Sequence, residues 1–179
     1  MPSIFTHAIV PLAIRLAAGK ARIGDRLMLA GMIASILPDA DVLAFALRIP
    51  YADAFGHRGA SHSLLFALAV AAAGALAARP LQSRASAAGL LLFVSALSHP
   101  LLDALTSGGL GVALAWPWTD THWFAPWRPI RVSPIGASFF SARGAEIWWS
   151  ELRWVWLPLL VAALSWRAIA GLRPMPQAK

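Results

Sequence analysis

Five apolar stretches, each near the length of a bilayer crossing, leave this chain little choice of solvent. They cover residues 4–18, 27–47, 61–78, 86–106 and 154–172. About 20 mostly apolar residues span the hydrocarbon core, and a spanning segment must pair its own backbone groups, so helices are expected. The first stretch is short and would tilt or sit shallowly. Hydrophobic residues make up 59% of the chain and charged residues 13%, where an average soluble domain carries about a quarter charged. The expected fold class is therefore all-α, an integral membrane bundle of about five transmembrane or membrane-embedded helices. Residues 110–153 differ: they hold Trp116, Trp118, Trp123, Trp127, Trp148 and Trp149 of the nine tryptophans. Indole rings favour the headgroup level, so an interfacial loop or lid is expected between helices four and five. Without repeats or low-complexity linkers, residues 1–179 read as a single domain. The first stretch lacks the marks of a cleaved signal peptide, and the tail Arg173–Lys179 is expected to be disordered.

Ionisable residues interrupt these apolar runs at a few places only. Apart from Arg15 and Arg167, which fall toward the opposite side, they are His7, the pair Asp39 and Asp41 after Pro38, the segment His57-Arg58-Gly59-Ala60-Ser61-His62-Ser63 at the entry to the third run, and the pair His99 and Asp103. Such groups are expensive inside a bilayer and mark function by default. Five alternating spans put all of them toward one end of the bundle, on the side of the tryptophan-rich loop. His99 and Asp103, four apart, share a helix face. Asp39 and Asp41 would point apart on a regular helix, but a backbone unwound after Pro38 can aim both at one cavity. With no cysteine, a metal here must be held by imidazole and carboxylate, which suits Zn²⁺ and also Mn²⁺ or Fe²⁺. The expected ligands are His7, Asp39, Asp41, His57, His62, His99 and Asp103.

Each residue also has a plainer role open to it. His99 and Asp103 could tie two helices by an ordinary hydrogen bond, Asp39 and Asp41 could cap a helix, and His57 could be a loop histidine. Arg58 could clamp an anionic substrate oxygen through its planar fork or anchor a headgroup. His122 reads as an interfacial loop residue, and Asp25, Asp53 and Asp120 as solvated carboxylates. The net charge of +7 is scattered between apolar segments without a basic stripe, so a lipid bilayer, not nucleic acid, is the expected partner.

The motifs Thr6-His7, Pro38-Asp39-Ala40-Asp41, His57 to Ser63, and Ser98-His99-Pro100-Leu101-Leu102-Asp103 followed by Gly108 together resemble the membrane-bound metal-dependent hydrolase family, the YdjM-like inner-membrane proteins. The resemblance covers roughly residues 3–110. It implies distant similarity to zinc-dependent phospholipase C and zinc-dependent single-strand nucleases, all-helical enzymes with a His-x-x-x-Asp pair among their metal ligands. By that likeness His99 and Asp103 are ligands, with Asp39 or Asp41, His57, His62 and His7 completing the set. The relatives' His-x-x-x-Glu pair has no counterpart, because the only glutamates are Glu146 and Glu151; one or two ions are expected, not three.

The function so implied is a membrane-bound hydrolase that directs a metal-activated water at a phosphoester, of a lipid or lipid-linked substrate given the site's position. Arg58 would stabilise the developing oxyanion, and Asp39 or Asp41 would serve as general base. A metal-ion or proton transporter, or a membrane protein with a purely structural metal, are the alternatives. Lys and Arg are more numerous on the side opposite the site, nine against six (Arg48, Arg58, Arg128, Arg131, Arg143 and Arg153). The positive-inside rule then turns the site toward the periplasm or exterior of a bacterial inner membrane.

Overall fold

A computed structural model describes residues 1–133 and 141–171. Helix α1, Ile4–Ala18, is followed by α2, Asp25–Ile36, which tightens into a 3-10 segment at Leu37–Val42 and ends in the single turn α3, Leu43–Ala46. Pro38 lies in the first turn of that tightened segment, where its missing N–H ends the regular α ladder. A 3-10 turn at Ala60–His62 introduces α4, Leu64–Leu76, and α5 follows at Ala85–Ala104. Ser63 caps α4 by accepting from the Phe66 N–H at 3.0 Å, and this fixes where the helix begins. The last three elements are α6, Ala142–Glu151, a π segment at Leu152–Trp156, and α7, Leu157–Gly171.

The all-helical bundle expected from hydropathy is what forms. Three helical stretches are long and apolar enough to cross a membrane: Asp25–Ala46, Ala85–Ala104 and Gly144–Gly171. Ile4–Ala18 and Leu64–Leu76 are shorter apolar helices. The fifth span starts earlier than the sequence suggests. Residues 142–153, expected in the tryptophan-rich loop, are helical and continue unbroken into α7. Trp148, Trp149 and Trp154 thus sit on a helix, and indole tolerates that backbone as readily as a loop. The tail Arg173–Lys179 lies outside the described residues.

Helix α5 is the centre of the bundle, packed on α1, α2 and α4. The apolar core formed by Ile23, Leu27, Met28, Ala34, Ala78, Ala88, Leu91 and Leu92 gathers where α2 and α5 begin and α4 ends. The opposite end is buried too, but it is polar. Between Thr106 and Ser133 the chain forms no named strand, yet it is pinned down over that polar end. Leu64 N–H donates to Leu114 O at 2.9 Å, Ala113 N–H to Arg58 O at 3.0 Å, and Ala125 N–H to Ala104 O at 2.9 Å. Val112, Ala113 and Ile130 are buried beneath it, while Trp118, Trp123 and Trp127 face outward.

Helices α4 and α5 approach most closely at Gly74. A Cβ there would lie 2.6 Å from Leu92 Cδ2, 3.2 Å from Leu92 Cβ and 3.3 Å from Ala88 O, the small-residue packing typical of helices in lipid. Gly74→Leu is expected to cost about 1–3 kcal/mol through overpacking. Gly24→Ala, with nothing within 4 Å, is expected to stay within about 0.5 kcal/mol. Thermal unfolding of both variants in detergent measures the difference.

Candidate metal centre

The polar end of the bundle brings together all seven histidines and aspartates singled out in the sequence. His7 comes from α1, Asp39 and Asp41 from the 3-10 segment after α2, and His57 and His62 from the loop entering α4. His99 and Asp103 come from one face of α5. His7, His62, His99 and Asp103 are fully buried, and Asp39 is 8% exposed at the edge.

The cluster has an inner and an outer layer. In the inner layer His99 Nε2 is 3.3 Å from Asp39 Oδ1, and His62 Nε2 is 3.5 Å from Asp103 Oδ2 and 4.0 Å from Asp39 Oδ1. His7 Nε2 is 3.7 Å from Asp103 Oδ1, and the His7 and His99 rings stack with centroids 3.6 Å apart. In the outer layer Asp41 accepts from Ser61 Oγ at 2.6 Å and Arg58 N–H at 3.0 Å, and pairs with His57 Nδ1 at 2.6 Å and His62 Nδ1 at 3.1 Å. The unwound turn after Pro38 does bring both aspartates to one cluster. With about three residues per turn, however, it sets them on opposite sides of the His62 ring.

Hydrogen bonding fixes two tautomers. His99 Nδ1 is 2.7 Å from the Ser35 carbonyl oxygen; a carbonyl can only accept, so Nδ1 carries the proton and the neutral ring turns a lone pair at Nε2 toward Asp39. Ser61 gives its proton to Asp41, so its oxygen accepts from His62 Nδ1 at 3.0 Å. Nε2 of His62 is then the ring nitrogen that faces inward, and it is the one a metal would meet. Among the described residues, His7 Nδ1 and Nε2, both oxygens of Asp39 and of Asp103, and Nε2 of His62 and of His99 are buried without a hydrogen-bond partner. Carboxylate oxygens and ring nitrogens crowded at 3–4 Å without hydrogen bonds have lost their water and gained no partner in exchange. A cation between them removes that penalty, so the donor set fits a metal ion. Two ligand groups satisfy close mutual spacing inside, His7 with His99 and Asp103, and Asp39 with His62 and His99; an outer one joins Asp39, Asp41 and His57.

Arg58 is inside the protein, 1% exposed, and cannot serve as a headgroup anchor. Its Nε lies 2.9 Å from Asp103 Oδ2 without the alignment of a hydrogen bond. Its Nη1 donates to Gly108 O at 3.1 Å and its Nη2 to Thr106 Oγ1 at 3.4 Å. Beside the cluster, Tyr51 sets its ring edge-on to His57 with centroids 5.2 Å apart, and burial pushes its phenol above the ordinary value. His122 stays apart, its Nδ1 on the Asp120 carbonyl at 3.1 Å.

Glu151 is the residue supporting the site that sequence reasoning passes over. It is fully buried and accepts from Ser3 N–H at 2.5 Å, Ser3 Oγ at 2.5 Å and Thr6 Oγ1 at 2.7 Å. Trp156 Nε1 donates to the same threonine oxygen at 2.7 Å. A carboxylate from the last helix thus caps the first turn of α1, one residue from His7, where the helix dipole favours negative charge. The available signal was an acid at the border of an apolar run.

Comparison with known proteins places this arrangement. The profile of the YdjM inner membrane protein family matches residues 1–173. The chain belongs to that family. It is also 47% identical to the inner membrane protein YbcI of Escherichia coli (strain K12) over 175 residues, covering 93% of this chain and 99% of the relative. No solved structure matches. Membership identifies an inner membrane protein and extends over the whole cluster together with the loop and the last helix.

Removing the Glu151 carboxylate leaves the Ser3 N–H and two hydroxyls unpaired in a buried position, at about 1–3 kcal/mol for each group left unsatisfied. Thermal stability in detergent is expected to fall in the order wild type, Glu151→Gln, Glu151→Ala, since the amide keeps one acceptor oxygen. Equal stability of the two variants would contradict the capping role.

Proposed function

We propose that this chain is a membrane-embedded, metal-dependent hydrolase acting on a phosphoester of a lipid or lipid-linked substrate. The observation that carries the reading is the inward confrontation of unpartnered acceptors, above all His99 Nε2 against Asp39 Oδ1 at 3.3 Å. The inner residues His7, Asp39, His62, His99 and Asp103 would hold the ion. A divalent cation there, zinc by donor type with manganese or iron as alternatives, would lower the pKa of a water toward neutrality and polarise a phosphoryl oxygen. A second ion at Asp39, Asp41 and His57 would require breaking the His57–Asp41 hydrogen bond, so one ion is the simpler count.

The protein's own groups then have distinct tasks. Asp41 and Ser61 hold His62 in one tautomer, as carboxylates behind a ligand histidine do, and the Ser35 carbonyl does the same for His99. Asp39 has both oxygens unpartnered and sits at the exposed edge. It is therefore the residue to take the proton of a water attacking phosphorus as the ester P–O bond breaks. Arg58 balances the charge of Asp103 and holds the Thr106–Gly108 turn; with its nitrogens engaged, it acts by fixing the cluster, and any charge it lends a transition state comes from that fixed position.

Two features support a lipid as substrate. The cluster lies at one end of membrane-spanning helices, and beside it runs an apolar cavity of about 410 Å³ lined by Phe55, Ser61, Leu65, Phe66, Ala69 and Trp116. Ser61 belongs to both, so an acyl chain in the cavity would bring its headgroup to the metal ligands. On the charge distribution, the cluster faces the periplasm.

The full burial of His62, His99 and Asp103 favours one competing reading, a structural ion that pins α1, α2 and α5 together. Release of phosphate or of a headgroup from phospholipid by metal-reloaded protein in liposomes decides between them. Hydrolysis that falls at least 100-fold in Asp39→Asn, which keeps one ligand oxygen and is assayed at a metal concentration that saturates the variant, supports catalysis; bound metal with no turnover on any phosphoester leaves the structural role. Asp41→Asn is expected to weaken metal binding about 10–100-fold, measured by competition with a chelator. Ala69→Trp, which fills the cavity, is expected to raise KM for long-chain lipids and leave short-chain phosphoesters unchanged.

A further inference from the structure

A second cavity, about 520 Å³, runs between α1 and α7 from Trp156, beside Thr6, to the end of the bundle opposite the cluster. Its walls are apolar, with Leu12 and Leu16 from one helix and Trp156, Leu157 and Leu160 from the other. Its end is basic, with Arg15, Lys20 and Arg167. We infer that this groove binds one anionic phospholipid, its acyl chain along α1 and α7 and its phosphate among the three cations.

Length, charge and position agree on that occupant. From Trp156 to Arg167 a helix rises about 16 Å at 1.5 Å per residue, half of a hydrocarbon core about 30 Å thick. The groove therefore has the length of one acyl chain, with its cations at the end away from the cluster. Its apolar lining residues Leu12, Leu157 and Leu160 are 41–46% exposed on a face that the other described residues leave uncovered. Among the described residues the charge is not cancelled. Asp25 is the one carboxylate they place at the rim, 2.5 Å from Arg15 Nη2 and 3.3 Å from Lys20 Nζ. Among them Arg167 donates to the Leu16 carbonyl, at 3.5 Å. Three cations against one carboxylate leave two positive charges, which a zwitterionic headgroup would oppose with its own cation and an anionic one would not. Attraction of anionic lipid by each such residue is appreciable near a membrane surface. The site is separate from the histidine–aspartate cluster and does not depend on its chemistry. It does act on α1, whose other end carries His7.

Native mass spectrometry of the full chain, released from detergent after incubation with equal amounts of dioleoylphosphatidylglycerol and dioleoylphosphatidylcholine, tests this. Wild type is expected to keep one phosphatidylglycerol with a preference of roughly tenfold or more. Lys20→Gln/Arg167→Gln brings the two lipids close to parity. Arg128→Gln/Arg153→Gln removes the same charge at the other end and keeps the preference. Leu160→Trp fills the groove without changing charge and loses the bound lipid. Equal retention of both lipids by wild type overturns the inference. So does a preference that survives Lys20→Gln/Arg167→Gln, one that falls as far in Arg128→Gln/Arg153→Gln, or full lipid retention by Leu160→Trp.

Discussion

The mutual approach of imidazole and carboxylate acceptors at the loop end of the bundle is the constraint on which the rest of the structure depends. Four separate parts of the chain contribute to it, and each is held by something outside the cluster. Ser35 orients His99, Asp41 and Ser61 orient His62, Glu151 secures the turn that bears His7, and Arg58 stands against Asp103. A buried group that lacks a partner is costly in any protein and more so at membrane depth. An arrangement that collects several of them and orients the rings from behind has the donor set to hold a cation.

The two ends of the bundle are stabilised by different physics. At one end Leu27, Met28, Leu91 and Leu92 bury apolar surface against small residues on neighbouring helices. At the other, polar contacts and the pinned loop do the joining, with Val112, Ala113 and Ile130 as apolar fill. The last helix belongs only loosely to either core: 11% of its spanning window is buried, against 44% for the span containing Asp39 and 39% for the one containing His99. Its firm attachment to α1 is at the polar end, through Glu151 and Trp156. That asymmetry leaves the groove beside Arg167 open to lipid.

Much of this was legible in the sequence, because hydropathy and the cost of a buried charge are strong signals. Helix α1 occupies the expected residues, the other spans start or stop within a few residues of expectation except the fifth, and the seven histidines and aspartates singled out in the sequence all meet. What spacing cannot reveal is rotation. Whether Asp39 and Asp41 fall on the same or opposite sides of an imidazole depends on how far the backbone unwinds after Pro38. In the sequence Arg58 is open to a substrate clamp or a headgroup anchor; its burial, which removes the second, follows from the loop that Gly108 and Ala113 lay across it. Glu151 is unremarkable if residues 110–153 are an interfacial loop, since a carboxylate there would sit in water. It becomes conspicuous only once those residues prove helical and face Ser3 and Thr6. Likewise nothing in the sequence pairs α1 with α7, and so the basic groove between them is invisible until the helices are placed.

The most direct test of the central claim is the metal content of purified protein by elemental analysis, wild type beside His62→Ala and Asp103→Ala, with helix content followed by circular dichroism. The account predicts about one equivalent of a transition metal in wild type, and its loss in both variants while the helices persist. A well-folded wild type that holds no metal, even after reloading, would contradict it.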